Sequence, residues 1–337
     1  MPTSPASSRE PLPGAGQLRQ RLLARKRPVI IGVAGDSGSG KSTYTQGIEW
    51  LLGTDLVSQI SLDGYHREDR ATRRQTGHSP LDPGANRLDT AAAHLNRLSA
   101  GEAVRIPVYD HCTGCFAEPR WHQPTPVILV EGLHTLYPAL RPLLDFALYV
   151  DTDIAVKRDW KYARDTRDRG YDPAEVEAEM ARRAAQHDRW IADQQDAADV
   201  ILRIHPSHLE TLALGQLELA DAPVCHHLEV IVRPRAGEQP ALYFPVDLNN
   251  MTRESAMPFM LATVPSHFRG GRVNVLHVDG YMPPAALATL EQEICAFAGV
   301  EPPTGAASAA ADPQPTIRFA QMLIAWPILG HIATLSA

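Results

Sequence analysis

The chain has 337 residues, 44% of them hydrophobic, enough to fill one large core or a medium domain with a smaller one. Its formal net charge of -7 gives no support to a general nucleic-acid-binding role, although a local basic pocket is compatible with it. Four cysteines and no secretory signal fit a reducing cytoplasm rather than a disulfide framework, and the most apolar stretch, Met322 to Leu335, is broken by Pro327 and His331 and too short to cross a membrane.

Residues 1–27 are rich in Pro, Ser, Gly and Arg without periodicity and are expected to form a flexible leader. From Pro28 the pattern alternates β and α: an apolar run Val29 to Ala34, a glycine loop, then a helical pattern from Lys41 to Leu52. Apolar runs at Leu56 to Leu62, Val127 to Val130 and Phe146 to Val150 each end on an acid, namely Asp63, Glu131 and Asp151. Ligands of open parallel sheets gather beyond the carboxyl ends of the strands, so these acids are expected at one site. Helical patterns from Ile154 to Asp168 and Pro173 to Ile191 precede a strand at Asp199 to Ile204, which closes a first domain spanning 28–205. After it, runs at Leu228 to Val232, Ala241 to Phe244 and Val273 to Val278 read as strands of a smaller C-terminal α+β module, 206–337, with a mobile surface loop from Glu301 to Pro315. The expected fold is α/β: a mainly parallel sheet flanked by helices, of the P-loop NTPase type.

Gly35-Asp36-Ser37-Gly38-Ser39-Gly40-Lys41-Ser42 fits the phosphate-loop pattern between a strand and a helix, with Thr43 following. Backbone N–H groups there surround phosphates at a helix N-terminus, Lys41 bridges the β- and γ-phosphates, and Ser42 offers a hydroxyl to Mg²⁺. Glu131, ending an apolar strand in the manner of a Walker B element, is the second candidate for Mg²⁺, directly or through water. Asp63 follows the second strand, where an acceptor hydroxyl must lose its proton, and is the candidate base. His66 and Arg70 are placed to engage a sugar hydroxyl and a phosphate. On a helix, Lys161, Arg164, Asp165 and Arg169 fall within an arc of roughly 140°, a pattern equally suited to a substrate-binding face and to a solvated face laced with ion pairs. Cys112 and Cys115 form a lone CxxC, which reads as two small residues in a turn.

The segments GDSGSGKS, LDGYHREDR, IPVYDHCTG, VEGLHTLY with DFALYVD, and KYARDTRDRG resemble the phosphoribulokinase and uridine kinase family, over residues 28–205 and on its phosphoribulokinase side. The resemblance implies an ATP- and Mg²⁺-dependent kinase with ribulose 5-phosphate as acceptor. It makes Asp63 the catalytic base, His66, Arg70, Tyr109 and His111 sugar-phosphate contacts, and Lys161, Arg164, Asp165 and Arg169 a substrate-binding and catalytic cluster. Uridine kinases typically have an acidic residue and Phe after the tyrosine where this chain reads Tyr109-Asp110-His111-Cys112. Gly64 stands where many relatives have Asp or Ser, and the loop cysteine through which plant-type members are regulated by thioredoxin is replaced by Asp36 or Ser37, so no such switch is expected. The C-terminal part is similar to the extension of the longer, non-octameric branch and implies a homodimer. Two further readings are a uridine or cytidine kinase and a nucleotide-sensing binding protein without turnover.

Overall fold

The computed structural model describes residues 18–163, 165–166, 172–209, 225–233, 259–282, 284–301 and 315–335. Of the sequence expectations, Arg164, Arg169, the strand at 241–244 and nearly all of the 301–315 loop lie outside these residues.

The first strand, β1 (Val29–Ala34), is apolar along its whole length because it is buried on both faces. It lies between β5 (Val127–Gly132) and β6 (Phe146–Thr152), with β2 (Val57–Ser61) beyond β5 and β7 (Val200–Pro206) beyond β6, all parallel. Three antiparallel strands, β8 (His226–Val232), β10 (Gly271–Gly280) and β9 (Phe259–Phe268), extend this sheet to the order β2-β5-β1-β6-β7-β8-β10-β9. A separate hairpin of β3 (Val104–Asp110) and β4 (Cys115–His122) lies beyond α4 (Leu88–Ser99).

One face of the sheet is covered by α2 (Lys41–Leu52), α7 (Pro284–Ala298) and α8 (Pro315–Leu335), with Val156 of α5 (Ile154–Ala163); the other is covered by α4, the hairpin and the stretch from Leu133 to Leu144. Helix α3 (Arg70–Thr76) and the 18-residue α6 (Pro173–Trp190) flank the open ends of the strands. Each starts on an aspartate cap: Asp69 accepts from Thr72 N, and Asp172 accepts from Ala174 N and Glu175 N.

Two expectations change. The stretch read as a flexible leader contains a helix, α1 (Leu18–Ala24), because Leu18 and Leu22, four residues apart, share a face that is buried in the main core. Arg19 ties the helix down through Leu52 O at 2.9 Å and Asp55. The C-terminal α+β part, in turn, shows no core of its own among the described residues. Its strands continue the main sheet and its helices share the core of α2, with Gln321 Nε2 donating to Thr43 O at 2.7 Å. The helical pattern expected to Asp168 is regular to Ala163, and Asp165 and Thr166 form a wider, π-helical turn. Among the described residues no helix is long and apolar enough to cross a membrane.

The core contains a pH-sensitive group. His134, just past β5, is 2% exposed, and its Nε2 lies 2.8 Å from Leu81 O. Burial pushes its imidazole down to about 4, against the opposing pull of that hydrogen bond. The unfolded chain therefore takes up the proton first, so stability is full above about pH 6.5 and declines toward pH 4, by about 2–3 kcal/mol from this group. Urea unfolding at pH 7 and pH 4.5 should show a smaller loss for His134→Asn than for the wild type. Equal losses would remove His134 from the account.

Candidate active site

The phosphate loop runs from the end of β1 into α2. Gly38 and Gly40 take φ of 82° and 85°, a left-handed conformation that side chains disfavour, and this turns the chain sharply around the helix start. No side chain caps α2, so the first N–H groups from Lys41 onward are left for an anion. Lys41 Nζ rests on the carbonyls of Gly35 and Asp36, at 2.9 and 2.7 Å. Burial pushes its ammonium down, opposed by Glu131, Asp63 and Asp36. Ser42 Oγ donates to Glu131 Oε2 at 2.9 Å, so the two expected metal ligands face each other. A hydroxyl and a carboxylate are the hard oxygen donors that suit Mg²⁺, which keeps most of its water.

Within the loop Asp36 behaves differently from its neighbours. Its buried carboxylate does not line the cavity but pairs with Lys157 at 3.0 Å and Arg183 at 3.3 Å. Burial opposes its ionisation, yet Arg183 and Lys157 outweigh that and hold the carboxyl well below the usual range. The side chain braces the loop from behind, and only the backbone of Asp36 remains for a phosphate.

Asp63 sits in a single 3-10 turn, Leu62–Tyr65, directly after β2. His111 Nε2 lies 3.1 Å from its Oδ2 and His66 Nε2 3.7 Å from its Oδ1. Asn86 donates its amide N–H groups to Pro80 O and Asp82 O, so its Oδ1 is the acceptor for His66 Nδ1 at 2.7 Å. That fixes the proton of neutral His66 on Nδ1. Burial lowers the His66 pKa, against the raising effect of Asp63. Burial also works against ionisation of Asp63, but the hydrogen bond from His111 and the charges of His66, His111 and Lys41 prevail and hold the carboxyl below its usual range.

His111 reaches Asp63 because β3 lies against the turn. A Cβ on Gly64 would stand 2.3 Å from Pro107 O, so only a residue without a side chain permits this approach. Arg70 Nη2 donates to His111 O at 2.6 Å. Arg73 Nη2 donates to Tyr109 Oη at 2.9 Å, and the Tyr109 ring packs edge-on against both His66 and His111. Gly64→Ala should therefore displace the Asp63 turn and cost about 10²-fold in turnover, the usual penalty for a shift of about 1 Å at a reacting group. A folded Gly64→Ala protein with wild-type kcat would show that the turn tolerates the shift.

Lys41, Ser42, Asp63, His66, Arg70, Tyr109, His111, Glu131, Lys161 and Asp165 all line one cavity of about 1830 Å³. Lys161 and Asp165 are buried there, and Lys161 packs beside Gly38. The cavity also holds Arg73, Arg74, Arg182 and Arg183, which were not singled out from the sequence, and Trp160, His226 and Tyr281 at its C-terminal side. Arg73 and Arg74 were legible in principle: they follow Arg70 by three and four residues on the same helix. The CTGC segment is a turn at the hairpin tip with both thiols free and exposed.

A sequence profile of the Phosphoribulokinase / Uridine kinase family matches residues 30–210, more than half of the chain. The chain belongs to this family. Among curated members, the phosphoribulokinase of Synechocystis sp. is 38% identical over 184 residues, covering 54% of this chain and 55% of that one. A uridine kinase of Chloroflexus aurantiacus is 34% identical over 186 residues, covering 52% of this chain and 86% of that one. The chain thus spans about half the length of the phosphoribulokinase it matches. In fold it resembles the phosphoribulokinase from Rhodobacter spheroides, with a TM-score of 0.55 over 93% of this chain and 99% of that one, at 19% identity.

Proposed function

We propose that this protein is a phosphoribulokinase, transferring the γ-phosphoryl group of ATP to the C1 hydroxyl of ribulose 5-phosphate. The observation that carries the reading is the setting of Asp63: a strand-end carboxylate held by His111, with His66 beside it, in the same cavity as Lys41, Ser42 and Glu131. The side chains gathered around it are imidazoles and guanidiniums, which suit the hydroxyls and terminal phosphate of a sugar phosphate.

In this mechanism Asp63 accepts the proton of the C1 hydroxyl, whose oxygen forms the new P–O bond as the bond to the β-phosphate oxygen breaks and ADP leaves. Lys41 exchanges its carbonyl partners for β- and γ-phosphate oxygens, and the N–H groups at the start of α2 hold the same phosphates. Residues Gly35 to Thr43 form the nucleotide site. Ser42 and Glu131 would hold Mg²⁺, which when bound would neutralise phosphate charge. His66 and His111 orient the sugar, and Tyr109 keeps them in register. Arg70 and Lys161 meet its phosphate, joined in the proposal by Arg164 and Arg169, while Arg164 and Asp165 complete the transferring site. The reading extends to a cytoplasmic homodimer, with residues 28–205 as the kinase domain and 206–337 as its smaller C-terminal part; light scattering on the purified protein tests the dimer.

The deciding experiment is coupled ADP release with MgATP against ribulose 5-phosphate, ribose 5-phosphate, uridine, cytidine and pantothenate, with products identified by mass. Turnover with ribulose 5-phosphate alone supports the proposal. Turnover of a nucleoside keeps the phosphate-loop chemistry and replaces the acceptor, and silence across the panel favours a nucleotide-binding protein without turnover.

A further inference from the structure

Residues on one strand face alternate sides of a sheet. In β7, β8 and β10 the residues Ile204, Leu228, Leu276 and Val278 enter the core shared with α2 and α8. The intervening His205, His227, Glu229 and His277 therefore share the opposite side. The antiparallel register sets His205 across from His227, and Glu229 across from His277.

The result is a compact donor cluster. His227 Nε2 lies 3.0 Å from His277 Nδ1, which is 3.9 Å from Glu229 Oε1, and one ligand atom from each of the three falls within 4.8 Å of the others. His205 Nε2 is 3.6 Å from Glu229 Oε2. Hydrogen bonding accounts for the contact between His227 and His277, and an ion pair for that between His205 and Glu229. These leave Nδ1 of His227, a residue only 9% exposed, buried without a hydrogen-bond partner. A tetrahedral ion bonded at about 2.1 Å separates its donors by about 3.4 Å, between the 3.0 and 3.9 Å seen for two of the pairs, all three donors lying within 4.8 Å of one another. Two imidazoles and a carboxylate suit a borderline transition metal, whereas Mg²⁺ and Ca²⁺ take oxygen donors. Arg203 approaches the carboxylate at Oε2, 3.9 Å away, so Oε1 stays available to an ion. The side chains of His205, Glu229 and His277 are 33%, 24% and 23% exposed, which gives an ion a route from solvent.

We propose that His227, Glu229 and His277, with water completing the shell, bind a divalent transition-metal ion of the zinc class. The ion would staple β8 to β10. Because His226 and Leu228 on the other side of β8 line the candidate active-site cavity, it would also hold the back of one cavity wall.

The test uses the full chain, stripped with a chelator and kept in millimolar Mg²⁺ to occupy the phosphate-loop site, then titrated with Zn²⁺ by calorimetry and with Co²⁺ by visible absorption. The wild type should bind one Zn²⁺ that His277→Gln and Glu229→Gln each weaken by at least about 10-fold. At the same Zn²⁺ concentration the thermal midpoint should rise more for the wild type than for either variant. Co²⁺ should show the intense visible bands of a tetrahedral ion. Absence of Zn²⁺ uptake by the wild type, or equal affinity in folded variants, would overturn the proposal. So would a weak octahedral Co²⁺ spectrum in the wild type, a readout that requires no variant to fold. None of these readouts depends on turnover or on the kinase assignment.

Discussion

Asp63→Asn should lower kcat for ribulose 5-phosphate by about 10²- to 10⁴-fold, the range for losing a positioned general base, while ATP binding is kept. The amide is isosteric and still accepts a hydrogen bond from His111, so the turn and its neighbours stay in place, but it does not accept a proton. The direction of the Asp63 pKa sharpens the test. Held below the usual carboxylate range by His111, His66 and Lys41 against the cost of burial, Asp63 stays ionised at every pH above about 5. An acid limb in the rate profile above that pH therefore belongs to another group, such as a phosphate or an imidazole. A low proton affinity weakens a base, but in the loose transition state of phosphoryl transfer the orientation of the attacking hydroxyl carries much of the catalysis. Single-turnover transfer together with equilibrium ATP binding separates the two effects. Unimpaired transfer in Asp63→Asn would remove this residue from its role and leave His111 and His66 as the groups facing the acceptor.

Asp36→Asn should reduce the unfolding free energy by about 3–5 kcal/mol, the scale for removing one charge from a buried ion pair. The carboxylate stands between Lys157 and Arg183, whose side chains are 10% and 13% exposed, and the neutral amide would remove the negative charge that both cations share. The shape is conserved, so the loss is electrostatic rather than a packing defect. The sign with pH follows from the lowered folded pKa: the contribution is full above about pH 4, the ordinary carboxylate value, and fades as pH falls further toward the folded value. Urea unfolding of the wild type and Asp36→Asn should therefore differ by the full amount at pH 7 and converge in acid. The double variant Asp36→Asn/Lys157→Met should recover part of the loss, since one stranded cation is gone. A difference below about 1 kcal/mol at pH 7 would show that solvent screens the pair as it screens surface ion pairs.

How much of the site was legible depends on how local its chemistry is. The phosphate loop is one continuous segment whose glycines, lysine and serine act where they stand in the chain, so Lys41 and Ser42 were readable directly. Asp63 and Glu131 were readable because apolar strand runs end on them, and neighbouring parallel strands bring such ends together. For Asp36, inside the same loop, the sequence offered no role for the side chain. Its partners Lys157 and Arg183 come from two distant helices, and no local pattern announces them. His111 was placed at the site by resemblance, while its 3.1 Å contact with Asp63 depends on β3 packing against Gly64.

By itself the sequence determined the α/β alternation, the nucleotide loop and the acids at the strand ends, because periodicity and turn chemistry are written in neighbouring residues. Tertiary structure alone decided that the C-terminal strands continue the same sheet, that Leu18 and Leu22 enter its core, and that histidines from three strands meet behind β8. Those outcomes rest on strand pairing and on the burial of faces contributed by remote segments. Such long-range choices are made by what packs against what, and no short stretch of this chain specifies them.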